Sequence, residues 1–104
     1  MATYELRVYQ AVSGRMNDLL ARFRDHTLAL FEDHGIENVG YWIDNDDADR
    51  LIYLLKHSDI ESSWSGFRED PRWLSAKEKS EAQGPLTTSI ASTRLSPTEF
   101  SALT

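Results

Sequence analysis

The chain begins with a stretch, residues 3–11, in which apolar and polar side chains alternate. A period of two is typical of a β-strand, because successive side chains point to opposite faces of the sheet. One predicted face carries Tyr4, Leu6 and Val8, and the other carries Thr3, Glu5, Arg7 and Tyr9. The second face is mixed in character, since the Arg7 stem and the Tyr9 ring can cover apolar surface.

A helical period replaces the strand period in residues 15–34. The apolar positions there fall on one arc at about 100° per residue, and they are Met16, Leu19, Leu20, Phe23, Leu30 and Phe31. This spacing predicts an amphipathic helix that Ser13 caps and Gly35 ends. On the same helical wheel His34 lies near the centre of the apolar arc and His26 lies on its flank.

Three further strands and a second, broken helix complete the pattern. The strands are predicted at residues 36–43, 50–57 and 86–95, and an acidic turn, residues 44–49, joins the first two. The run Leu51–Leu55 is apolar without alternation, which indicates a strand that is buried on both faces at the centre of a sheet. Ser58 and Glu61 form a capping box for the second helix, and Asp70 and Pro71 interrupt that helix.

This order of elements, βαββαβ, predicts an α+β fold of the ferredoxin-like type, with a four-stranded antiparallel sheet and the helices on one face. The first and third strands are central in this topology, which agrees with the apolar third strand. Strand three is apolar on both faces, since Leu51, Tyr53 and Leu55 alternate with Ile52 and Leu54, yet the helices cover only one of these faces. We therefore predict a homodimer in which two copies pack their open sheet faces together. Residues 1–104 would form a single domain whose tail, residues 97–104, is loosely ordered or packed on the partner.

Composition and charge restrict the partners. The chain of 104 residues has a net charge of −6 and dispersed Lys and Arg, which argues against binding nucleic acid or an anionic membrane surface. Cysteine is absent, so disulfides, thiolate metal sites and Cys nucleophiles are excluded. We see no secretory leader and no apolar run of the roughly 18 residues that a membrane span needs, so we expect a cytoplasmic protein. The acidic turn lacks the pattern of a calcium-binding loop, and we predict no metal site.

Several segments resemble the NIPSNAP family, and together they cover nearly the whole chain in register. These segments are Tyr4–Tyr9, His34–Ile36, Val39–Trp42, Leu51–Leu54, Phe67–Trp73 and Leu95–Ser101. The sequence departs from the family at Ser13 and Glu99, where many members carry proline. The resemblance implies the dimeric α/β-barrel superfamily and its sheet-to-sheet dimer. It implies no particular substrate, because the family is loosely defined in function.

Three polar residues are candidates for catalysis. Arg7 on a central strand must be paired or face a ligand, because an unpaired buried charge costs several kcal/mol. An ion pair with Glu5 or with the dimer partner is the alternative for Arg7. His34 and His26 could move a proton, although a histidine at a helix end more often bonds a backbone carbonyl. His57 ends a strand, and we expect it to be exposed.

Aromatic side chains suggest where a ligand would lie. We predict that Tyr53 and Trp42, with Ser89 among the hydroxyls of the last strand, line a pocket between the sheet and the helices. The resemblance implies that this cleft binds a small, largely apolar or aromatic molecule and carries out oxygenation without a cofactor. Haem ligation by His34 is one alternative. A non-catalytic homodimer that binds other proteins or acts as a scaffold is the other.

Overall fold

The computed structural model describes residues 2–104. The elements are β1 (Thr3–Ala11), α1 (Met16–Arg22), a π-helical turn (Phe23–Thr27), α2 (Leu28–Asp33), β2 (Ile36–Asp44), β3 (Asp47–His57), α3 (Ile60–Glu69), α4 (Pro71–Ser80) and β4 (Thr87–Leu95). The strands form one antiparallel sheet in the order β2-β3-β1-β4. The predicted ferredoxin-like fold is therefore confirmed, with the first and third strands at the centre.

The core lies between the helices and one face of the sheet. Leu51, Tyr53 and Leu55 of β3 are buried there against Leu19 of α1 and Phe31 of α2. Many rings meet edge to face in this layer, which adds a modest geometric preference to the area that they bury.

The opposite face of the sheet carries a second set of apolar side chains. Leu6, Val8, Ile52 and Leu54 alternate with the core residues of β1 and β3 and are half-buried. Strand β3 is thus apolar toward both faces, as its sequence predicts, but a helix covers only one of them.

The first helix contains an irregularity that its sequence does not announce. The helical period predicts one helix over residues 15–34, whereas the structure widens it into a π-helical turn at Phe23–Thr27. There the backbone N–H of Leu28 donates to the carbonyl of Phe23, five residues earlier. The helix ends at Gly35, whose φ of 77° suits glycine, so this prediction is confirmed.

Several local predictions at the ends of elements are wrong. Ser13 does not cap the first helix; Arg15 occupies the N-cap position, without a side-chain hydrogen bond. Asp59, not Ser58, caps α3, because its carboxylate accepts from the N–H of Ser62. Asp70 caps α4 ahead of Pro71 as predicted. The acidic turn is shorter than residues 44–49, because β2 extends to Asp44 and β3 starts at Asp47.

The tail lies against its own chain. Thr104 accepts hydrogen bonds from the Lys56 ammonium at 2.8 Å and from the Tyr4 hydroxyl at 3.3 Å. Together with Leu54 and Leu95 of the open face, the tail encloses a depression of about 270 Å³. Residues 97–104 thus cover one end of the open sheet face. None of the helices in the described residues is long and apolar enough to cross a membrane.

Candidate functional site

Arg7 sits at the centre of a polar cluster on the helix-facing side of the sheet. It lies between Tyr53 of β3 and Ser92 of β4 in the strand register. Its guanidinium donates to the Tyr53 hydroxyl at 2.7 Å, to the Glu5 carboxylate at 2.9 Å and to the Tyr9 hydroxyl at 3.1 Å. The ion pair with Glu5, which was the alternative explanation for Arg7, is present within the chain. It links neighbours two residues apart on the same strand.

Glu5 is the anionic centre of this cluster, and only 2% of the residue is exposed. One carboxylate oxygen accepts from Arg7 and Ser92, and the other accepts from His57 and the Trp64 indole N–H. Burial raises the pKa of Glu5, but the hydrogen bonds, that from His57 foremost, outweigh burial and lower the pKa from 4.5 to about 2. Glu5 is therefore a fixed carboxylate at neutral pH.

His57 is fully buried, so the expectation of an exposed His57 is wrong. Strand β3 ends beneath α3, and the ring lies between Glu5 at 2.8 Å and the Ser63 hydroxyl at 2.9 Å. A carboxylate can only accept, so Nε2 of His57 carries a proton. Serine, histidine and glutamate in a row are the residue types of a nucleophilic triad. Ser63 is itself buried, however, and donates to the Asp59 carbonyl at 2.8 Å, which makes the row a structural one.

Two tyrosines, Tyr53 and Tyr9, contact the guanidinium, and a third, Tyr41, stacks on Tyr53. Burial raises the pKa of Tyr53 well above its usual value, and the nearby charge of Arg7 offsets only part of this rise. Burial likewise raises the pKa of Tyr41, whose ring stacks on Tyr53 with centroids 4.8 Å apart. The Tyr53 and Tyr41 hydroxyls therefore stay protonated near neutral pH, and that of Tyr41 donates to the Asn38 side-chain carbonyl at 2.6 Å. Tyr53 and Tyr9 both accept from Arg7, and their hydroxyls also interact with each other.

One side of the cluster opens onto an uncovered strand. The helix-facing side of β4 carries Ile90, which is 52% exposed, and Ser92, which pairs with Arg7. The Trp64 ring forms the adjacent wall, with the Arg7 guanidinium 4.6 Å from its centroid and that of Arg68 5.3 Å from it. We call these five residues the Arg7 shelf. A cation over an aromatic ring is stabilised by the ring quadrupole, so the shelf combines apolar surface with positive charge.

The two candidate histidines lie elsewhere. His34 makes a 2.7 Å hydrogen bond to Asp70 at the junction of α3 and α4, and a Cβ on Gly66 would meet its ring at 2.9 Å. Bonds from Arg72 and His34 hold the pKa of Asp70 well below its usual range. His26 is exposed on the π-helical turn and faces a groove against α4. Neither histidine is hydrogen-bonded to Arg7, so the structure does not assemble the predicted catalytic trio.

The predicted ligand-binding residues are divided between the two faces of the sheet. Tyr53 faces the helices beside Arg7, whereas Trp42 pairs with Ile52 on the open face and is 54% exposed. Ser89 pairs with Gln10, which also places it on the open face. The expectation that all three line one cleft is corrected. A shift of one residue along a strand reverses the face.

The Arg7 shelf is equipped to bind an anionic or hydrogen-bond-accepting group. A guanidinium has five N–H donors, and three hydrogen bonds to protein acceptors leave two of them for a ligand. Sequence reasoning singled out Arg7 and Tyr53 but missed Glu5 as the anionic centre, His57, Trp64, Arg68 and Ser92. Among these five residues only Glu5 had a signal in the sequence, namely the alternation along β1 that puts it on the same face as Arg7. Within the described residues, no group of three or more His, Asp or Glu side chains is placed to hold a metal ion.

Sheet order, helix layer and register together define a ferredoxin-like α+β protein of the kind found in dimeric α/β barrels. The sequence profile of the NIPSNAP family matches residues 4–102. The chain therefore belongs to the NIPSNAP family, which confirms the resemblance seen in the sequence.

Solved structures agree with this assignment. A NIPSNAP family protein from Agrobacterium tumefaciens superposes with a TM-score of 0.85 at 21% identity, covering 100% of both chains. A second NIPSNAP family protein from the same organism, of unknown function, superposes with a TM-score of 0.82 at 22% identity, covering 99% of this chain and 94% of the other. SnoaB, a cofactor-independent oxygenase from Streptomyces nogalater, gives 0.67 at 12% identity over 92% of each chain. At these identities the likeness carries the fold alone. No curated protein sequence matches the chain.

Proposed function

We propose that this protein is a homodimer that binds a small, largely apolar or aromatic molecule on the Arg7 shelf, with an anionic or hydrogen-bond-accepting group of the ligand directed at Arg7. The observation that carries the proposal is the combination of a nearly buried guanidinium with an uncovered strand beside it. The Arg7 side chain is 12% exposed, and the neighbouring Ile90 is 52% exposed.

The cost of burying the cluster supports a ligand role. Replacing a buried ion pair by apolar residues is often neutral or stabilising, so such a pair is weak evidence for stability on its own. Here the pair also involves two tyrosine hydroxyls, a histidine, a serine and an indole. A buried hydrogen-bond network of this size holds its groups in one arrangement. Such an arrangement gives a ligand pre-positioned donors at little cost in conformational entropy.

The open sheet face supports the dimer. Leu6, Val8, Ile52 and Leu54 form a half-exposed apolar strip, and Trp42 and Leu95 at its sides are 54% and 38% exposed. Contiguous apolar patches on soluble proteins mark interaction surfaces, and a second copy of the same face is a self-complementary partner. The dimer and the shelf use opposite faces, so one protomer can do both at once.

Nuclear magnetic resonance tests the ligand site without knowledge of the natural ligand. The probe is 2-naphthoate, a flat aromatic carboxylate, titrated into ¹⁵N-labelled protein. We expect saturable shifts of the Trp64 indole N–H and the Arg7 Nε–H signals, because both groups adjoin the shelf. Shifts confined to the Trp42 and Trp73 indoles, or none at all, would contradict the proposal.

Two substitutions on one strand show which face binds the probe. Ile90→Glu puts a carboxylate on the shelf, where it repels an anionic ligand, and should weaken 2-naphthoate binding by about tenfold, a change of roughly 1.4 kcal/mol. Ser89→Glu adds the same charge to the other face of β4 and should leave the affinity within about twofold. The opposite order of effects would place the ligand on the open face, with Trp42 and Ser89.

Oxygenation is a second candidate function, suggested by the structural likeness to a cofactor-independent oxygenase. An arginine beside tyrosine hydroxyls can stabilise the enolate or phenolate form of an aromatic substrate. Dissolved oxygen is the oxidant in this chemistry. Oxygen uptake during incubation with a panel of dihydroxynaphthalenes would support an enzyme, if Arg7→Met abolishes the uptake and the exposed Arg24→Gln does not. Binding without oxygen uptake would leave a ligand-binding protein.

A further inference from the structure

A second site lies on the outer side of the helix layer, between the first helix and α4. The groove there has a volume of about 440 Å³. Its wall includes Arg15, Arg22, Asp25, His26, Lys79 and Ser80. A depression of about 340 Å³ adjoins it and shares His26, Ala76 and Lys79. We refer to this surface as the Arg22 groove. Its size falls in the range of sites for small molecules.

Arg22 is the unusual member of this wall. Only 7% of the residue is exposed, and its guanidinium lies 5.0 Å from the Trp73 ring centroid. Its hydrogen bonds to Ser80 at 3.2 Å and to Glu81 at 3.0 Å both go through Nη1. The Nε of Arg22 is the one buried side-chain nitrogen or oxygen in residues 2–104 that lacks a hydrogen-bond partner.

The unpaired Nε–H of Arg22 indicates the kind of acceptor that would fit it. In a guanidinium, Nε–H and one N–H of Nη2 point the same way and form a fork that fits the two oxygens of a carboxylate. Arg22 leaves this fork without an acceptor, although a buried unsatisfied donor costs about 1–3 kcal/mol. Native structures rarely tolerate such a cost without a reason, so an acceptor supplied from outside the chain is a direct explanation.

The local fold keeps Arg22 in place. It is the last residue of α1, and the π-helical turn begins at the next residue. The Thr27 hydroxyl donates to the Arg22 carbonyl at 3.2 Å inside this wide turn. Single π-helical turns inside α-helices occur often at functional sites, where they redirect side chains. The turn also brings His26 to the same groove.

We propose that the Arg22 groove is a binding site for a small molecule that bears a carboxylate, distinct from the Arg7 shelf. The carboxylate accepts the fork of Arg22, and Lys79 at the rim contributes a further positive charge. Arg15 is nearby, with its Nε committed to Asp18 at 2.8 Å and its Nη2 to the Ser80 carbonyl at 3.3 Å. Asp25, whose carboxylate lies 3.4 Å from Arg24, marks the negative side of the groove.

Arginine Nε–H signals report on this site directly. The probe is succinate, titrated at constant ionic strength, with inorganic phosphate as the comparison anion. We expect a saturable downfield shift of the Arg22 Nε–H signal with succinate and a weaker response with phosphate, because a planar carboxylate matches the fork. An unmoved Arg22 signal, or equal binding of the two anions, would overturn the assignment.

Variants separate the fork from mere positive charge. Arg22→Lys keeps the charge but loses the fork, and should weaken succinate about tenfold or more, which corresponds to roughly 1.4 kcal/mol. Lys79→Gln, at an exposed rim position, should weaken the binding of succinate about threefold. This variant keeps the test decisive if the Arg22 variant fails to fold. Arg50→Lys on β3 is the matched control and should change nothing. Equal affinities of wild-type protein and Lys79→Gln, together with an unchanged or unfolded Arg22 variant, would contradict the proposal.

Discussion

At the residue scale, alternation along β1 predicted which of its side chains share a face, but most of their partners on other elements could not be predicted. Alternation along β1 puts Glu5 and Arg7 on the same side, and the Glu5–Arg7 ion pair follows from that spacing. His57 was misjudged because its environment comes from α3, a separate element, and the sequence does not show how far that helix extends over the end of β3. The hydrogen bond from the Trp64 indole to Glu5 was missed for the same reason, because Trp64 also lies on α3.

Glu5 makes stability depend on pH. Its pKa is about 2 in the folded chain and 4.5 when unperturbed, so its contribution is fully present above pH 4.5 and is lost as the pH falls toward 2. The shift corresponds to roughly 3 kcal/mol. We expect urea unfolding at pH 6 and pH 3 to show a loss of stability in wild-type protein that Glu5→Gln reduces by about 2 kcal/mol, because part of the contribution remains at pH 3, above the folded pKa. The exposed control Glu37→Gln should keep the full pH dependence. Equal slopes for the two variants would contradict the network around Glu5.

At the element scale, periodicity located every strand and both helical regions, while their ends and irregularities needed the structure. The π-helical turn is invisible to a helical wheel, because the buried positions across it, Phe23, Thr27, Leu30 and Phe31, keep the spacing of a regular α-helix. The caps were ambiguous because Ser58 and Asp59 are neighbours and both are good capping residues. Asp70 followed by Pro71 was predictable, since proline at the first helical position needs no N–H.

The two caps should differ in strength. Asp70 accepts from the Arg72 N–H at 2.8 Å and from His34 at 2.7 Å, and only 8% of the residue is exposed. Asp59 is exposed and accepts from Ser62 at 3.4 Å. We expect Asp70→Ala to lower the unfolding temperature several times more than Asp59→Ala, because the Asp70 cap makes more and shorter hydrogen bonds. Thermal unfolding measures both, and similar losses would mean that the bonds from His34 and Arg72 contribute little.

At the scale of the whole molecule, the topology followed from the order of elements and the apolar third strand, whereas the divided site did not. Tyr53 and Trp42 both lie on strands that flank the core, and only the register shows that they face opposite ways. The tail was likewise beyond prediction, because its docking depends on single contacts to Tyr4 and Lys56.

The open face gives a prediction about assembly. Ile52 lies at its centre, between Val8 of β1 and Trp42 of β2. Ile52→Glu should convert a dimer into a monomer in sedimentation velocity at micromolar concentration, because a buried unpaired charge opposes association. Leu74→Glu is the control, since Leu74 is 51% exposed on α4 and should leave the dimer intact. Wild-type protein that sediments as a monomer would contradict the open face as an interface.

A native mass spectrum of the protein with excess 2-naphthoate tests the dimer and the Arg7 shelf together. We expect a dimer of two 11.9 kDa chains with one ligand on each Arg7 shelf. Arg7→Met should give the same dimer with two fewer ligands, because any carboxylate held in the Arg22 groove is present in both samples. A wild-type dimer that takes up no more 2-naphthoate than Arg7→Met, or a monomer in both samples, would show that the dimer or the shelf is wrong.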